Sequence, residues 1–294
     1  MVCRATLTAG AAHTKKKSNP APVAKPPLSA YNSAAEAPSS VPIAKKTKDG
    51  PSLTKCMPYR KEEFISGEIY HIILRGVDDN IIFKDIDDYY RGIFSIYEFN
   101  NFNPVDIRLR REIRNRLKKN EGPSFVMVDD RDKLVEILAF CFMPNHIHLL
   151  VRQIKDRGIT KFMAKVGTGY ASYFNKKYGR KGYVFQNRFK SVHIADDNQL
   201  MTVVNYIHTN PISLIEPKFK EEGIKNHSAQ EVVEFLKSGY RWSSFPDYLG
   251  QKNFTSVTER DFISDFMGKK DGIRNNIMDW IMHKKDISTS LEIP

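Results

Sequence analysis

Between Leu134 and Val151 the chain is apolar at almost every position, broken only by Glu136, by Pro144-Asn145 and by two histidines one residue apart. The first half, Leu134 to Met143, is too short and too rich in Ile, Val and Phe to favour a helix, and fits a strand buried on both faces. Pro144-Asn145 supplies turn chemistry before a second apolar run. The segment therefore predicts an antiparallel hairpin in mid-sheet, with His146-Ile147-His148 on its second arm. Alternate side chains on a strand share a face, so both imidazoles point into one space and Ile147 points the other way. That spacing alone leaves two readings open: a two-ligand metal clamp, or a pair of packed or solvated rings.

Elements of both periods surround the hairpin. Glu68 to Leu74 reads as a first strand closed by Arg75-Gly76, and a helix follows in which Asp85, Asp87 and Asp88 supply capping oxygens. After the hairpin, Ile159, Phe162, Met163, Val166, Tyr170, Tyr173 and Phe174 form the stripe of an amphipathic helix whose other side carries Lys161, Lys165 and Lys176. Gly167 and Gly169 disfavour that helix, so a close approach to a partner backbone is expected there; Gly179 can end it. Tyr183 to Ile194 reads as extended. A further helix starts at Asp196-Asp197-Asn198, runs through Leu200, Val203, Val204 and Ile207, and stops near Asn210 because Pro211 follows. Short helices are expected around Glu231–Lys237 and Asp261–Phe266. The fold class is α+β.

The 294 residues allow one or two domains, and 41% hydrophobic content is enough for a proper core. Formal charge is +12, but residues 1–60 hold ten Lys/Arg against Glu36 and Asp49, so eight of those charges sit in a tail rich in Ala, Pro, Ser and Lys. A tail of that composition, residues 1–62, is expected to be disordered. A second basic run, Arg108 to Lys119, reads as a solvated helix face or an insert spanning about 104–122. Cys3, Cys56 and Cys141 have no paired spacing, which argues against a disulfide framework and a cysteine-based zinc site. No run approaches a membrane span and no secretory signal is evident, so a cytoplasmic protein without a membrane partner is expected.

From Arg152 to His193 eleven Lys/Arg face one acid, Asp156, and are interleaved with aromatic rings. Cations for phosphates beside rings for unpaired bases is the composition of a single-strand nucleic-acid groove. Phe162, Tyr170 and Phe174 keep the helical period and are assigned to packing; Tyr178, Tyr183 and Phe185 fall off it and are stacking candidates. With Arg75, Lys161, Lys165, Lys176, Arg180, Arg188 and Lys190, the rings Tyr183 and Phe185 make up the candidate DNA contacts.

Tyr206 and Asn210 stand four residues apart, one turn from each other on one helix face. Should that helix cross the sheet face bearing His146 and His148, Asn210 can add its carbonyl oxygen as a third ligand while Tyr206 faces the ion. Two neutral imidazoles and one oxygen, with open positions, suit Mg²⁺ or Mn²⁺ in a phosphate-handling site. A phenol attacking a DNA phosphodiester there leaves a 5′-phosphotyrosine linkage that a 3′-hydroxyl can reverse. Tyr170 and Tyr173 compete for the nucleophile's role, but they lie on the apolar stripe and lack a polar ligand one turn away. His193 and His208 read as surface or structural.

The chain resembles the single-tyrosine HUH transposases, and within them the REP-associated tyrosine transposases of the IS200-like group, from about Phe64 to Tyr248. The matching elements are Tyr70-His71 with Arg75-Gly76, Met143-Pro144-Asn145-His146-Ile147-His148, and Tyr173-Phe174-Asn175. Gly182, Phe185-Gln186-Asn187-Arg188-Phe189-Lys190, Tyr206-Ile207-His208-Thr209-Asn210-Pro211 and Arg241-Trp242-Ser243-Ser244-Phe245 complete them. The resemblance implies a ferredoxin-like domain, residues 63–215, with a central antiparallel sheet, flanking helices and the His pair on a middle strand, followed by a helical extension over 216–294. It also implies cleavage and rejoining of single-stranded DNA, often beside a hairpin or repeat, with Tyr206 as nucleophile and His146, His148 and Asn210 as metal ligands. The family's insertion-sequence branch commonly uses Gln where this chain has the shorter Asn210. Three alternatives stay open: a hairpin DNA- or RNA-binding module that does not cut, a replication-initiator or relaxase-type nickase, and, for assembly, a monomer or a homodimer that exchanges the Tyr206 helix.

Overall fold

The computed structural model describes residues 63–110, 112, 129, 131–186 and 188–283. The expected tail, most of the basic insert and the last residues lie outside them. Four strands form one antiparallel sheet: β1 (Ile69–Arg75), β2 (Val135–Met143), β3 (His146–Gln153) and β4 (Lys190–His193), in the order β2-β3-β1-β4. With α1 (Ile86–Glu98) between β1 and β2, and α2 (Gly158–Lys177) between β3 and β4, this is the β-α-β-β-α-β ferredoxin-like arrangement.

Local chemistry explains the boundaries. Asp85 accepts from the Asp88 amide while the Asp88 carboxylate accepts from the Asp85 amide, a capping box that starts α1. The β2–β3 turn is Pro144-Asn145, pinned from outside by Gly76, whose amide donates to the Asn145 carbonyl at 2.8 Å. Helix α3 (Asp197–Thr209) begins at Asp196, whose side chain accepts from the Gln199 amide, and continues past Thr209 as a 3₁₀ segment, Asn210–Leu214, with Pro211 in its first turn. The sequence expectation of a stop near Asn210 holds for the α-helix, and the chain keeps turning. Extended structure in 183–194 narrows to β4 and a single bridge between Gly76 and Phe185.

Two apolar layers cover the two sheet faces. On one, Tyr70, Ile72, Leu74, Ile147, Leu149 and Val151 meet α1 and α2. On the other, Ile69 and Leu150 meet α3 and a set of C-terminal helices, α4 (Ala229–Glu234), α5 (Asp261–Phe266) and α6 (Lys269–Met282), through Leu200, Val204, Ile273 and Ile277. Residues beyond 216 thus share the core of the sheet. They also cover its β2 edge: the Phe142 amide donates to the Trp242 carbonyl, and Cys141 bridges Ser243. A buried edge left unpaired would strand its amides and carbonyls, so this segment completes the sheet. Among the described residues no helix is long and apolar enough to cross a membrane.

Candidate active site

Register places three histidines on the α3 face. His146, His148 and Leu150 alternate on β3; His71, Ile73 and Arg75 alternate on β1; Leu150 stands opposite His71, Ile73 opposite His148, and Arg75 opposite His146. His71 is therefore the diagonal neighbour of His148, and its Nε2 lies 2.9 Å from His148 Nδ1. The rings of His146 and His148 are 4.7 Å apart and nearly perpendicular.

Helix α3 lays Tyr206 and Asn210 over this face. The Tyr206 ring meets His148 edge-on at 5.4 Å and His71 at 6.0 Å. Asn210 Nδ2 donates to His148 Nε2 at 3.1 Å. One chain thus brings together His146, His148, Tyr206 and Asn210.

Hydrogen bonding also fixes which ring nitrogens are available. His148 Nε2 accepts from Asn210, so its proton is on Nδ1 and donates to His71 Nε2. His146 Nδ1 lies 2.6 Å from the Asn145 carboxamide oxygen and donates to it. Both rings of the pair consequently hold an Nε2 lone pair, and Asn210 sits beside that of His148. Burial keeps them neutral: it lowers His71 to about 4, and lowers His146 to about 4 with help from the Arg75 and Lys220 charges. His148 is held well below the ordinary histidine range by burial, then by its histidine neighbours.

The donor set fits a divalent cation. Neutral imidazoles are the ligating form, each oriented by a second hydrogen bond on its other nitrogen, and turning the Asn210 amide about its last bond presents an oxygen. Among the described residues no group of three His, Cys, Asp or Glu side chains is arranged to hold a metal, so the third protein donor here would be the amide.

Competing tyrosines are placed elsewhere. Tyr170 is buried and donates to the Ile82 carbonyl at 2.5 Å, and Tyr173 donates to Asp88, both in the layer on the opposite sheet face. His208 is buried against Ser244, and His193 faces Glu68 at 2.8 Å.

The expected DNA contacts divide between the faces. Lys190 stands opposite Ile73, which stands opposite His148, so Lys190 and Arg75 share the histidine face. Arg188 is exposed just before β4, and Tyr183 is 80% exposed. Lys161, Lys165 and Lys176 ride on α2, which covers the other face. Two of the expected contacts also have partners within the fold. Lys165 donates to the carbonyls of Asn101, Phe102 and Asn103, closing the chain after α1, so its charge already has oxygen partners. Phe185 is 8% exposed, packed 5.7 Å from Tyr170, and offers no free stacking face. Tyr178 likewise spends its hydroxyl on Asp85 and Asp88. Arg180 lies over the Phe174 ring and Lys161 over Phe102.

Sequence reasoning missed two residues. Lys220 donates to the Tyr206 hydroxyl at 3.4 Å from a one-turn helix, Phe219–Glu222, that has no periodic signal. His71 had its alternation on β1, but only the strand order reveals its partner.

Comparison with known proteins finds a partial likeness. The family model described as "Transposase IS200 like" matches residues 108–210, the stretch holding the His pair, Tyr206 and Asn210. No curated protein matches the sequence. A solved structure described as "Structure of the REP associates tyrosine transposase bound to a REP hairpin" matches 70% of this chain and 93% of its own, at 14% identity and a TM-score of 0.40. The family match ends at Asn210, so Lys220 lies beyond it, while His71, Arg75 and all of β1 precede it.

Proposed function

We propose that the protein cleaves and rejoins single-stranded DNA through a covalent bond between Tyr206 and a 5′-phosphate, next to hairpin or repeat sequences. The observation that carries the reading is the convergence of Tyr206 and Asn210, one helical turn apart, on His148, whose ring lies 4.7 Å from that of His146 on the same strand face. His146, His148 and Asn210 would hold Mg²⁺ or Mn²⁺; when bound, such an ion polarises a phosphoryl oxygen and stabilises the departing 3′-oxygen.

The chain's own groups supply the rest. Tyr206 Oη attacks phosphorus, the bond to the 3′-oxygen breaks, and the phosphodiester's free energy is kept in the new ester, so joining needs no nucleotide cofactor. His71 and Asn145 hold the two imidazoles in one tautomer and one orientation. Arg75, Arg188 and Lys190 offer positive charge to phosphates along the histidine face.

The test uses full-length protein with labelled single-stranded oligonucleotides carrying hairpins from the DNA flanking its gene, plus Mn²⁺. Wild type is expected to leave a protein–DNA adduct on a denaturing gel, and Tyr206→Phe to leave none. Adduct at the wild-type level with Tyr206→Phe would remove Tyr206 as nucleophile. Binding of the same hairpins with no adduct from wild type would favour the non-cutting module.

A further inference from the structure

Lys220 is the cation at the reacting oxygen. Its Nζ donates to Tyr206 Oη at 3.4 Å and lies 5.4 Å from the centre of the same ring. Nearby lysines are otherwise engaged: Lys218 and Lys225 both pair with Glu222. Among the described residues no carboxylate forms an ion pair with Lys220, and its side chain is exposed.

The position of Lys220 is imposed by its neighbours. Phe219 is buried at 4% exposure in the α3-side core and fixes the turn beneath it. Just before it, buried Glu216 accepts from the amides of Asn226 and His227 and from both of their side chains, which closes the 216–227 loop. The loop thereby delivers Lys220 to a narrow cleft shared with Tyr206, Asn210 and Ser213. Its charge reaches the histidines too, as one of the causes that lower His146 and His148.

Resting on the assignment of Tyr206 as nucleophile, we propose that Lys220 is a catalytic residue, whose ammonium compensates the negative charge that comes and goes on Tyr206 Oη in cleavage and in joining. In cleavage the Oη–P bond forms as the P–O3′ bond breaks; the phenolic proton passes to solvent water and the 3′-oxygen takes a proton from solvent. In joining the 3′-hydroxyl gives its proton to water, attacks phosphorus and expels Tyr206 as phenolate, which leaves against the Lys220 ammonium before solvent reprotonates it. A fixed cation at this oxygen lowers both barriers, because the two directions share one transition state.

The experiment follows adduct formation and strand joining on the same hairpin oligonucleotides with Lys220→Met, Lys220→Arg and Tyr206→Phe in the full chain. Lys220→Met is expected to slow adduct formation at saturating DNA by roughly 100-fold, in line with loss of one charge-stabilising donor, while DNA affinity changes little. Lys220→Arg should recover much of the rate. Replacing Tyr206 with 3-fluorotyrosine, whose phenolate is a better leaving group, should speed joining more in the Lys220→Met background than in wild type. Full activity of Lys220→Met overturns the inference, and so does a loss that neither arginine nor fluorination relieves, since that would be a structural effect. If Tyr206→Phe is inactive while Lys220→Met is fully active, only this inference fails; if Tyr206→Phe still forms adduct, the parent assignment fails and takes this one with it.

Discussion

His71 occupies Nδ1 of His148 and so leaves Nε2 as the nitrogen open to a ligand's role. Removing it as His71→Phe leaves the His148 Nδ1–H buried without its acceptor and frees the ring to turn. Mn²⁺ affinity is expected to fall about 10- to 100-fold, the usual cost of losing such a supporting group, and titration calorimetry measures it. Unchanged affinity would mean that the ring orientation is held by packing alone. His146→Ala differs: it should abolish adduct formation while hairpin binding, read by gel shift, stays largely intact. At this scale the sequence showed the period-two pair and the four-residue step from Tyr206 to Asn210, both local relations. It could not show that His71 backs His148, a pairing across 77 positions, or that Lys220 returns to Tyr206 from a turn without periodicity.

The two glycines of α2 look alike in sequence and differ in space. A Cβ at Gly169 would sit 2.2 Å from the Phe99 ring at the end of α1, whereas one at Gly167 would meet nothing within 4 Å. Gly169→Ala is therefore expected to destabilise the protein by about 1–3 kcal/mol through overpacking. Gly167→Ala should stabilise it by up to ~1 kcal/mol through helix propensity, and urea unfolding of the two variants separates the effects. The expected close approach to a backbone is found at neither glycine: a side-chain ring crowds Gly169 and Gly167 is open, because the helical period says which side a residue occupies but not what comes near it. A second element-level prediction concerns the 216–227 loop. The hydrogen bond from His227 and the amide donors around Glu216 lower its carboxyl from the usual 4.5 to about 2. Because the folded value is depressed, the loop's stabilisation is complete above pH 4.5 and fades as pH falls through about 2. Hydrogen exchange over that window should show wild-type loop amides opening with acid. The same amides in Glu216→Gln should already be open at neutral pH; equal protection at neutral pH would show that the carboxylate does not clasp the loop.

Across the whole molecule, the basic residues that a linear count pooled into one groove are split by the sheet. Lys190 lies on the histidine face, with exposed Arg188 just before its strand, while Lys161 and Lys176 decorate the helix behind it. Neutralising the first pair should reduce the slope of log affinity against log salt by about 0.7 for each single-strand phosphate that the protein ceases to neutralise; neutralising the second should leave the slope unchanged. Equal effects would mean that DNA wraps both faces. The antiparallel α+β architecture was legible because hairpin, capping and breaker signals are local. The covering of the β2 edge by Trp242 and Ser243 was not, since nothing in their spacing names the strand they join. Strand order has one last consequence. The match to the IS200-like family model starts at residue 108, yet β1 lies between β3 and β4 and hydrogen-bonds to both. A recombinant fragment cut to the shared boundaries would lose its keystone: β4 would have no companion, and β3 would show an open flank where neighbouring fragments could aggregate. What sequence comparison marks out as a matching stretch is, mechanically, only part of an object that stands or falls as a whole.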